Sequence, residues 1–75
     1  MKELVTYMVN ALVDDNQGVK LSMSEDGGVV RFRLSVSSSD RGKVIGREGR
    51  TIKAMRSLLQ AAAEKEGKKV FLDIV

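Results

Sequence analysis

The hydrophobic residues of this chain switch between two spacings, and the order of the switches is the feature that most limits its fold. Between Lys2 and Val13 apolar side chains recur every three or four residues, the period of an amphipathic helix. From Val19 onward two stretches alternate with a period of two, which is typical of half-buried strands. The helical spacing returns from Ile52, and a closing stretch from Val70 alternates again.

The segments between these stretches predict the turns and one further helix. The Asp26–Gly27 pair precedes the second strand, Val30 to Val36, and suits a type I′ turn, whose two central residues take positive φ. The polar run Ser37 to Asp40 offers side-chain acceptors for free backbone N–H groups. It therefore predicts the N-cap of a short helix, about Arg41 to Ile45, which Gly46 ends.

The resulting order is α, β, β, α, α, β, which places the chain in the α+β class. The first two strands are joined by a hairpin and should pair antiparallel, whereas a two-helix crossover normally joins parallel strands. We therefore expect a three-stranded mixed sheet with three helices packed on one face. The apolar stripe of the long helix comprises Ile52, Met55, Leu58, Leu59, Ala62 and Ala63.

Size and composition exclude most enzyme chemistries. A chain of 75 residues is one small domain, residues 1–75, with little room for a catalytic cleft. It contains neither cysteine nor histidine, so disulfides, thiolate metal sites and the commonest general acid/base at neutral pH are absent. We expect a protein that is not an enzyme and that needs no cofactor and no metal ion.

Hydropathy and charge indicate a cytoplasmic protein with a mild preference for polyanions. No apolar run approaches the roughly 20 residues that span a membrane, and the N-terminal residues lack a signal-peptide pattern. The formal net charge of +3 suits a nucleic-acid partner, although such an excess is also common in proteins without one.

The most glycine-rich and basic stretch, Gly42 to Met55, enters the long helix. A phosphate-binding loop of the nucleotide-hydrolase type needs G-x-x-x-x-G-K-[ST] after a strand. Val44 stands where the first glycine belongs, Arg50 replaces the lysine, and a helix precedes the loop. The dinucleotide fingerprint G-x-G-x-x-G fails at position 44 as well, so we exclude nucleotide hydrolysis.

A plain helix–turn–helix corner explains the glycines of this stretch but leaves its charges unexplained. The corner is crowded by Arg41, Lys43, Arg47, Arg50 and Lys53. The start of a helix favours acidic side chains, so a basic cluster there makes sense when an outside anion occupies the site. Glycines also allow a phosphodiester backbone to approach without meeting a Cβ atom. The pattern favours a nucleic-acid backbone as that anion.

The nine residues VIGREGRTI, Val44 to Ile52, resemble the (V/I)-I-G-x-x-G-x-x-I signature of KH domains. These RNA-binding modules clamp the backbone of about four nucleotides with their GxxG loop. The α, β, β, α, α, β order is that of the type II KH fold. The whole chain is similar to the small stand-alone bacterial KH proteins of the KhpA type, which implies that residues 1–75 form a single KH domain.

The resemblance implies a set of nucleic-acid-binding residues around the loop. They are Lys43, Ile45, Gly46, Arg47, Glu48, Gly49, Arg50, Ile52 and Lys53. Gly46 and Gly49 would let the RNA backbone approach, Arg47 would contact a phosphate, and the remaining cations would form the rim. The two isoleucines either line the groove or pack in the core. Glu48 should weaken phosphate binding unless it points away or pairs with Arg47 or Arg50.

The functional expectation is a protein that grips short single-stranded RNA as an RNA chaperone or post-transcriptional regulator. One alternative, which the resemblance implies, is an interaction module that pairs with a larger multidomain KH partner of the KhpB or Jag type in cell-division and envelope control. Another is a single-stranded DNA binder. A homodimer is expected, with a contact on the long helix at Ala61 to Ala63, unless these alanines pack on the sheet.

The strand residues Arg31 and Arg33 alternate with the apolar Phe32, which we expect in the core. The two arginines would lie on the opposite sheet face, where they either keep the protein soluble, our preferred interpretation, or form a second basic patch. One tyrosine and two phenylalanines are too few for a stacking platform of the RRM or OB type.

Overall fold

The computed structural model describes all 75 residues, and its helices and strands follow the predicted order. The elements are α1 (Lys2–Leu12), β1 (Lys20–Asp26), β2 (Val29–Ser35), α2 (Arg41–Ile45), α3 (Arg50–Glu64) and β3 (Lys69–Ile74). Two single 3₁₀ turns, Asn16–Gly18 and Arg47–Gly49, precede β1 and α3. None of the three α-helices has the length and hydrophobicity of a membrane-spanning segment.

The three strands form one mixed sheet in the order β1, β2, β3. β1 pairs antiparallel with β2, and β3 pairs parallel with β2, as the hairpin and the helical crossover predict. β2 is therefore central, and β1 and β3 are edge strands. The edge of β3 that does not pair with β2 faces α3.

The hairpin turn lies one residue later than the sequence predicts. Asp26 remains in β1, where it pairs with Val29, and the two-residue loop is Gly27–Gly28, with φ angles of 57° and 80°. Asp26 was wrongly predicted as a central turn residue. A type I′ turn needs positive φ at both central positions, and glycine takes that conformation without a Cβ penalty.

The hydrophobic core lies between the helices and one face of the sheet. In β2, Val30, Phe32 and Leu34 are buried, whereas Arg31 and Arg33 point to the opposite, solvent-exposed face. Twelve buried residues form one cluster: Val5, Val9, Val13, Val30, Phe32, Leu34, Val36, Val44, Ile52, Met55, Leu59 and Leu72. The expected position of Phe32 is confirmed.

The buried stripe of α3 is narrower than its sequence pattern suggests. Ile52, Met55, Leu59 and Ala63 are buried, but Leu58 is 60% exposed. Leu58 was wrongly included in the stripe, because adjacent residues are rotated by about 100° around a helix and Leu59 already faces the sheet.

Asp40 ties α2 to the end of α1 instead of capping its own helix. It occupies the N-cap position without a side-chain capping bond, so the predicted capping interaction is wrong. The backbone N–H groups of Asp14 and Asp15 donate to its carboxylate at 3.2 and 3.0 Å, and the Ser37 hydroxyl donates at 3.1 Å. The carboxylate is only 1% exposed, so these donors replace the water that it loses on folding.

Candidate nucleic-acid interface

The GxxG loop is a single tight turn between α2 and α3. Gly46, Glu48 and Gly49 all have positive φ, at 79°, 57° and 75°. The Gly49 N–H donates to the Gly46 carbonyl at 3.1 Å and closes the turn. The chain thus reverses within four residues and leaves the side chains of Arg47 and Glu48 exposed at the tip.

The two glycines of the loop face different surroundings. A Cβ atom on Gly46 would lie 2.2 Å from Thr51 Oγ1 and 2.8 Å from the Thr51 backbone nitrogen, so the fold itself requires glycine there. A Cβ atom on Gly49 would meet nothing closer than Lys53 Cε at 3.8 Å. Glycine at position 49 is therefore required by its backbone conformation and not by packing.

Glu48 is the only residue other than glycine with positive φ in the chain. Its Oε2 lies 3.5 Å from Arg50 Nη2, and both side chains are exposed. Pairing with Arg47 or with Arg50 was expected to offset the repulsion between the Glu48 carboxylate and a phosphate, and the structure shows the pairing with Arg50. An exposed ion pair of this kind is weak, so a phosphate can replace Glu48 as the partner of Arg50.

The predicted basic residues divide into two groups. Arg47 and Lys53 are exposed and form no ion pair, and Lys53 lies beside Gly49. Together with Arg50 they surround the loop. Lys43 instead pairs with Asp14 and lies 3.6 Å from Asp40 Oδ1, on the side of α2 that faces the end of α1.

The ion pairs of Lys43 stabilise its charged form. The hydrogen bond to Asp14 is the main cause that raises the pKa of the Lys43 ammonium above its ordinary value of 10.5. Lys43 is thus held by carboxylates within the protein, and its predicted role at the RNA rim receives no support from its contacts.

The two predicted isoleucines lie beneath the loop. Ile52 is buried in the core cluster at 6% exposure, and Ile45 is half-buried against the same cluster. Both isoleucines therefore pack with the core, which is the second of the two roles expected for them.

A groove of about 510 Å³ separates α3 from the outer edge of β3. Its walls are Arg56, Ser57 and Gln60 on the helix and Val70, Phe71, Leu72 and Asp73 on the strand. Arg56 Nε donates to the Leu72 carbonyl at 3.0 Å, and the Val70 N–H donates to Gln60 Oε1 at 3.3 Å. These contacts show that α3 and β3 run antiparallel, which brings the start of α3 and the GxxG loop to the C-terminal end of β3.

The edge of β3 offers backbone groups to the groove. The N–H groups of Lys69 and Val75 donate to β2, to the carbonyls of Gly28 and Leu34. Because N–H groups alternate in direction along a strand, those of Leu72 and Ile74 point towards α3. Leu72 is only 2% exposed, so the half-buried Ile74 carries the more accessible of these two N–H groups.

Comparison with known proteins places this architecture in a family. Residues 2–74 match the family model for the KH domain of KhpA/KhpB. The chain belongs to the KhpA/KhpB family of KH domains. Over all 75 residues it is 48% identical to a protein of Halalkalibacterium halodurans and 40% identical to one of Listeria monocytogenes, covering 99% of each. It is 43% identical over its whole length to a protein of Chlamydia trachomatis, of which it covers 96%. All three are named RNA-binding protein KhpA.

In this member of the KhpA/KhpB family, the two residues that bridge the groove are not among those predicted from the sequence. Arg56 and Gln60 follow the polar side of α3, and their four-residue spacing shows only that they share a helix face. Their role depends on the packing of α3 along an edge strand. A polar i, i+4 pair on a helix that precedes an edge strand is the signal by which such residues could be found.

Proposed function

We propose that this KH domain binds short single-stranded RNA, holding the phosphate backbone at the GxxG loop and the bases in the groove between α3 and β3. The observation that carries the proposal is that Arg47, exposed and free of ion pairs, lies between the two glycines at the end of that groove. Its relatives in Halalkalibacterium halodurans and Chlamydia trachomatis are named RNA-binding proteins. Charge-assisted hydrogen bonds from guanidinium groups suit phosphate oxygens.

The groove is short and open, which suits an RNA chaperone or post-transcriptional regulator in the cytoplasm. A site for about four nucleotides contacts few phosphates and few bases. Such a site binds and releases RNA readily, as a factor that acts on many transcripts must. The proposed role is binding alone.

We also infer that the domain works in an assembly, either with a second copy of itself or with a larger KH protein of the KhpB or Jag type. Support comes from α3, where Ala54, Leu58 and Ala61 lie exposed along one side. Ala63 is buried and Ala62 half-buried, so only Ala61 of the predicted alanine contact is exposed. A heteromer would link RNA binding to cell-division and envelope control.

The replacement Arg47→Asp tests the RNA site. It should weaken binding of a labelled single-stranded RNA by well over tenfold, because charge-assisted contacts are worth roughly 1.5 to 3 kcal/mol and the new carboxylate repels phosphate. Fluorescence anisotropy measures the change. Lys65→Asp, the same charge change at the other end of α3, is the matched control and should retain affinity. Unchanged binding by a folded Arg47→Asp protein would refute the loop as the RNA site.

The replacement Glu48→Lys is the converse variant in the same titration. Lysine has the same backbone strain as glutamate at this position, so the fold is retained while an acid is exchanged for a base. Binding should tighten, whereas a loss of affinity would show that Glu48 orients the loop. Single-stranded DNA of the same sequence is the competing ligand. If the protein binds the DNA more tightly than the RNA, single-stranded DNA replaces RNA as the proposed partner.

A further inference from the structure

The sheet face that carries no helix is a second surface with the properties of a nucleic-acid contact. We name it the open face, and its outward-pointing residues are Lys20, Ser22, Ser24, Asp26, Val29, Arg31, Arg33, Ser35, Lys69, Phe71 and Asp73. The strand register places Ser24, Arg31 and Phe71 in one row across the sheet. Ser22, Arg33 and Asp73 form the next row.

The open face carries a net positive charge, and two of its four cations, Arg31 and Arg33, lie on the central strand. Four cations against two carboxylates give it a net charge of +2, most of the +3 of the whole chain. Arg31 and Arg33 are exposed on the central strand, and neither forms an ion pair. A depression of about 460 Å³ is lined by these two arginines, by Ser22, Met23 and Ser24, and by the Asp73 carboxylate. Guanidinium and hydroxyl donors in such an arrangement suit phosphate oxygens.

One row of the open face also offers a flat surface for a base. The Arg31 guanidinium lies 4.6 Å from the centroid of the Phe71 ring, and Phe71 is 43% exposed. Nucleobases stack on aromatic rings and on guanidinium planes, and this stacking tolerates any base. A single phenylalanine is too little for a complete stacking platform. Because the Arg31 guanidinium lies over the Phe71 ring, the outer side of that guanidinium plane is the surface on which a base can stack.

The open face is continuous with the groove through β3. Phe71 and Asp73 border the groove and also point to the open face. Adjacent strands lie about 4.8 Å apart, so a nucleic acid that crosses the edge of β3 meets Arg31 and Arg33 on the next strand. A strand of RNA longer than the groove can therefore reach both surfaces without a change in the fold.

We propose that the open face is a second RNA contact surface, which holds the part of a single strand that extends beyond the groove. Arg31 and Arg33 bind its phosphates, and a base stacks on the Arg31–Phe71 pair. This inference rests on the proposed function. A protein partner fits the face less well, because the centres of protein interfaces are depleted of charged residues, whereas this centre holds two arginines and an aspartate.

The double variant Arg31→Ala/Arg33→Ala tests this proposal with two lengths of single-stranded RNA. An RNA of about four nucleotides fills the groove, and one of about twelve reaches the open face. The wild-type logarithmic salt slope should be about −2 for the short RNA and about −3.5 for the long one, since each phosphate contact contributes roughly −0.7. In the variant, the slope for the long RNA should fall to about −2 and its affinity should drop about tenfold. Binding of the short RNA should not change.

Lys2→Ala/Lys65→Ala, which removes two exposed cations outside both surfaces, is the matched control and should bind both RNAs as the wild type does. Equal losses for both RNA lengths, or no loss for the long one, would overturn the proposal. An altered sedimentation mass with unchanged RNA binding would overturn it too and assign the face to a protein. Failure of the proposed function is distinguishable, because Arg47→Asp would then leave binding of the short RNA unchanged.

Discussion

The two glycines of the GxxG loop meet different physical demands, although the motif treats them alike. Gly46 is restricted twice, by its positive φ and by the Thr51 side chain and backbone directly above it. Gly49 is restricted only by its φ of 75°. The first glycine thus serves the protein's own packing, whereas the second is required by its backbone conformation alone.

Alanine substitutions should separate these demands. Gly46→Ala should destabilise the fold by about 2 to 5 kcal/mol, from backbone strain plus the overlap with Thr51. Gly49→Ala should cost only about 1 to 2 kcal/mol, the penalty of a left-handed conformation. Urea denaturation followed by circular dichroism measures both. If both variants lose the same free energy of unfolding, Gly46 and Gly49 do not meet different demands.

At the scale of elements, the contact between α1 and α2 depends on Asp40. Hydrogen bonds from the backbone N–H groups of Asp15 and Asp14 are the main causes that hold the pKa of its carboxyl below the ordinary value of 3.8. Burial of the carboxyl acts in the opposite direction, and Ser37 and Lys43 add to the lowering. Asp40 therefore stabilises the fold in its ionised form.

The sign of this shift predicts a pH dependence. Because the folded pKa is lower than the unfolded one, Asp40 contributes stability above about pH 4, and the contribution is lost as the pH falls through the folded pKa. Asp40→Asn should lower the melting temperature at pH 7, and its difference from the wild type should shrink below about pH 4. Asp26→Asn, which removes an exposed carboxylate at the hairpin, is the matched control. A difference that stays constant down to acid pH would contradict the role of Asp40.

The sequence pattern predicts the elements well because each has a strong period and a recognisable end. It places α2 at Arg41 to Ile45 as observed and anticipates the mixed sheet. It fails where the outcome depends on packing between elements. The capping role expected for Asp40 yields to contacts with α1, and the exposure of Leu58 depends on which side of α3 meets the sheet.

The candidate site likewise has one part that the local sequence predicts and one part that depends on packing between elements. The signature around Gly46 to Gly49 identifies the loop, since its residues are consecutive in the chain. The groove joins residues distant in sequence, such as Arg56 and Leu72, and only the register of α3 against β3 brings them together. The role of Phe71 beside Arg31 likewise depends on the pairing of β2 with β3.

At the scale of the whole molecule, one short groove contributes little specificity, so a second linked groove would matter. Two linked sites raise the effective concentration to the millimolar range and multiply avidity by roughly 10² to 10⁴. We expect the molecular mass measured by sedimentation to increase as the protein concentration rises through the micromolar range. Leu58→Glu, which places a charge within the exposed side of α3, should keep the protein monomeric, and Lys65→Glu should not. A monomer mass throughout, with no increase on adding a KhpB-type partner, would contradict the assembly.

If the GxxG loop and the α3–β3 groove together form the RNA site, the backbone amide chemical shifts of both must change when RNA binds. Titration of ¹⁵N-labelled protein with a single-stranded RNA of about four nucleotides should shift the amide signals of residues 45–53 and 70–74. The signals of α1 should remain in place, because that helix contacts neither surface. Shifts that avoid the loop and the groove while the RNA saturates the protein would contradict the account.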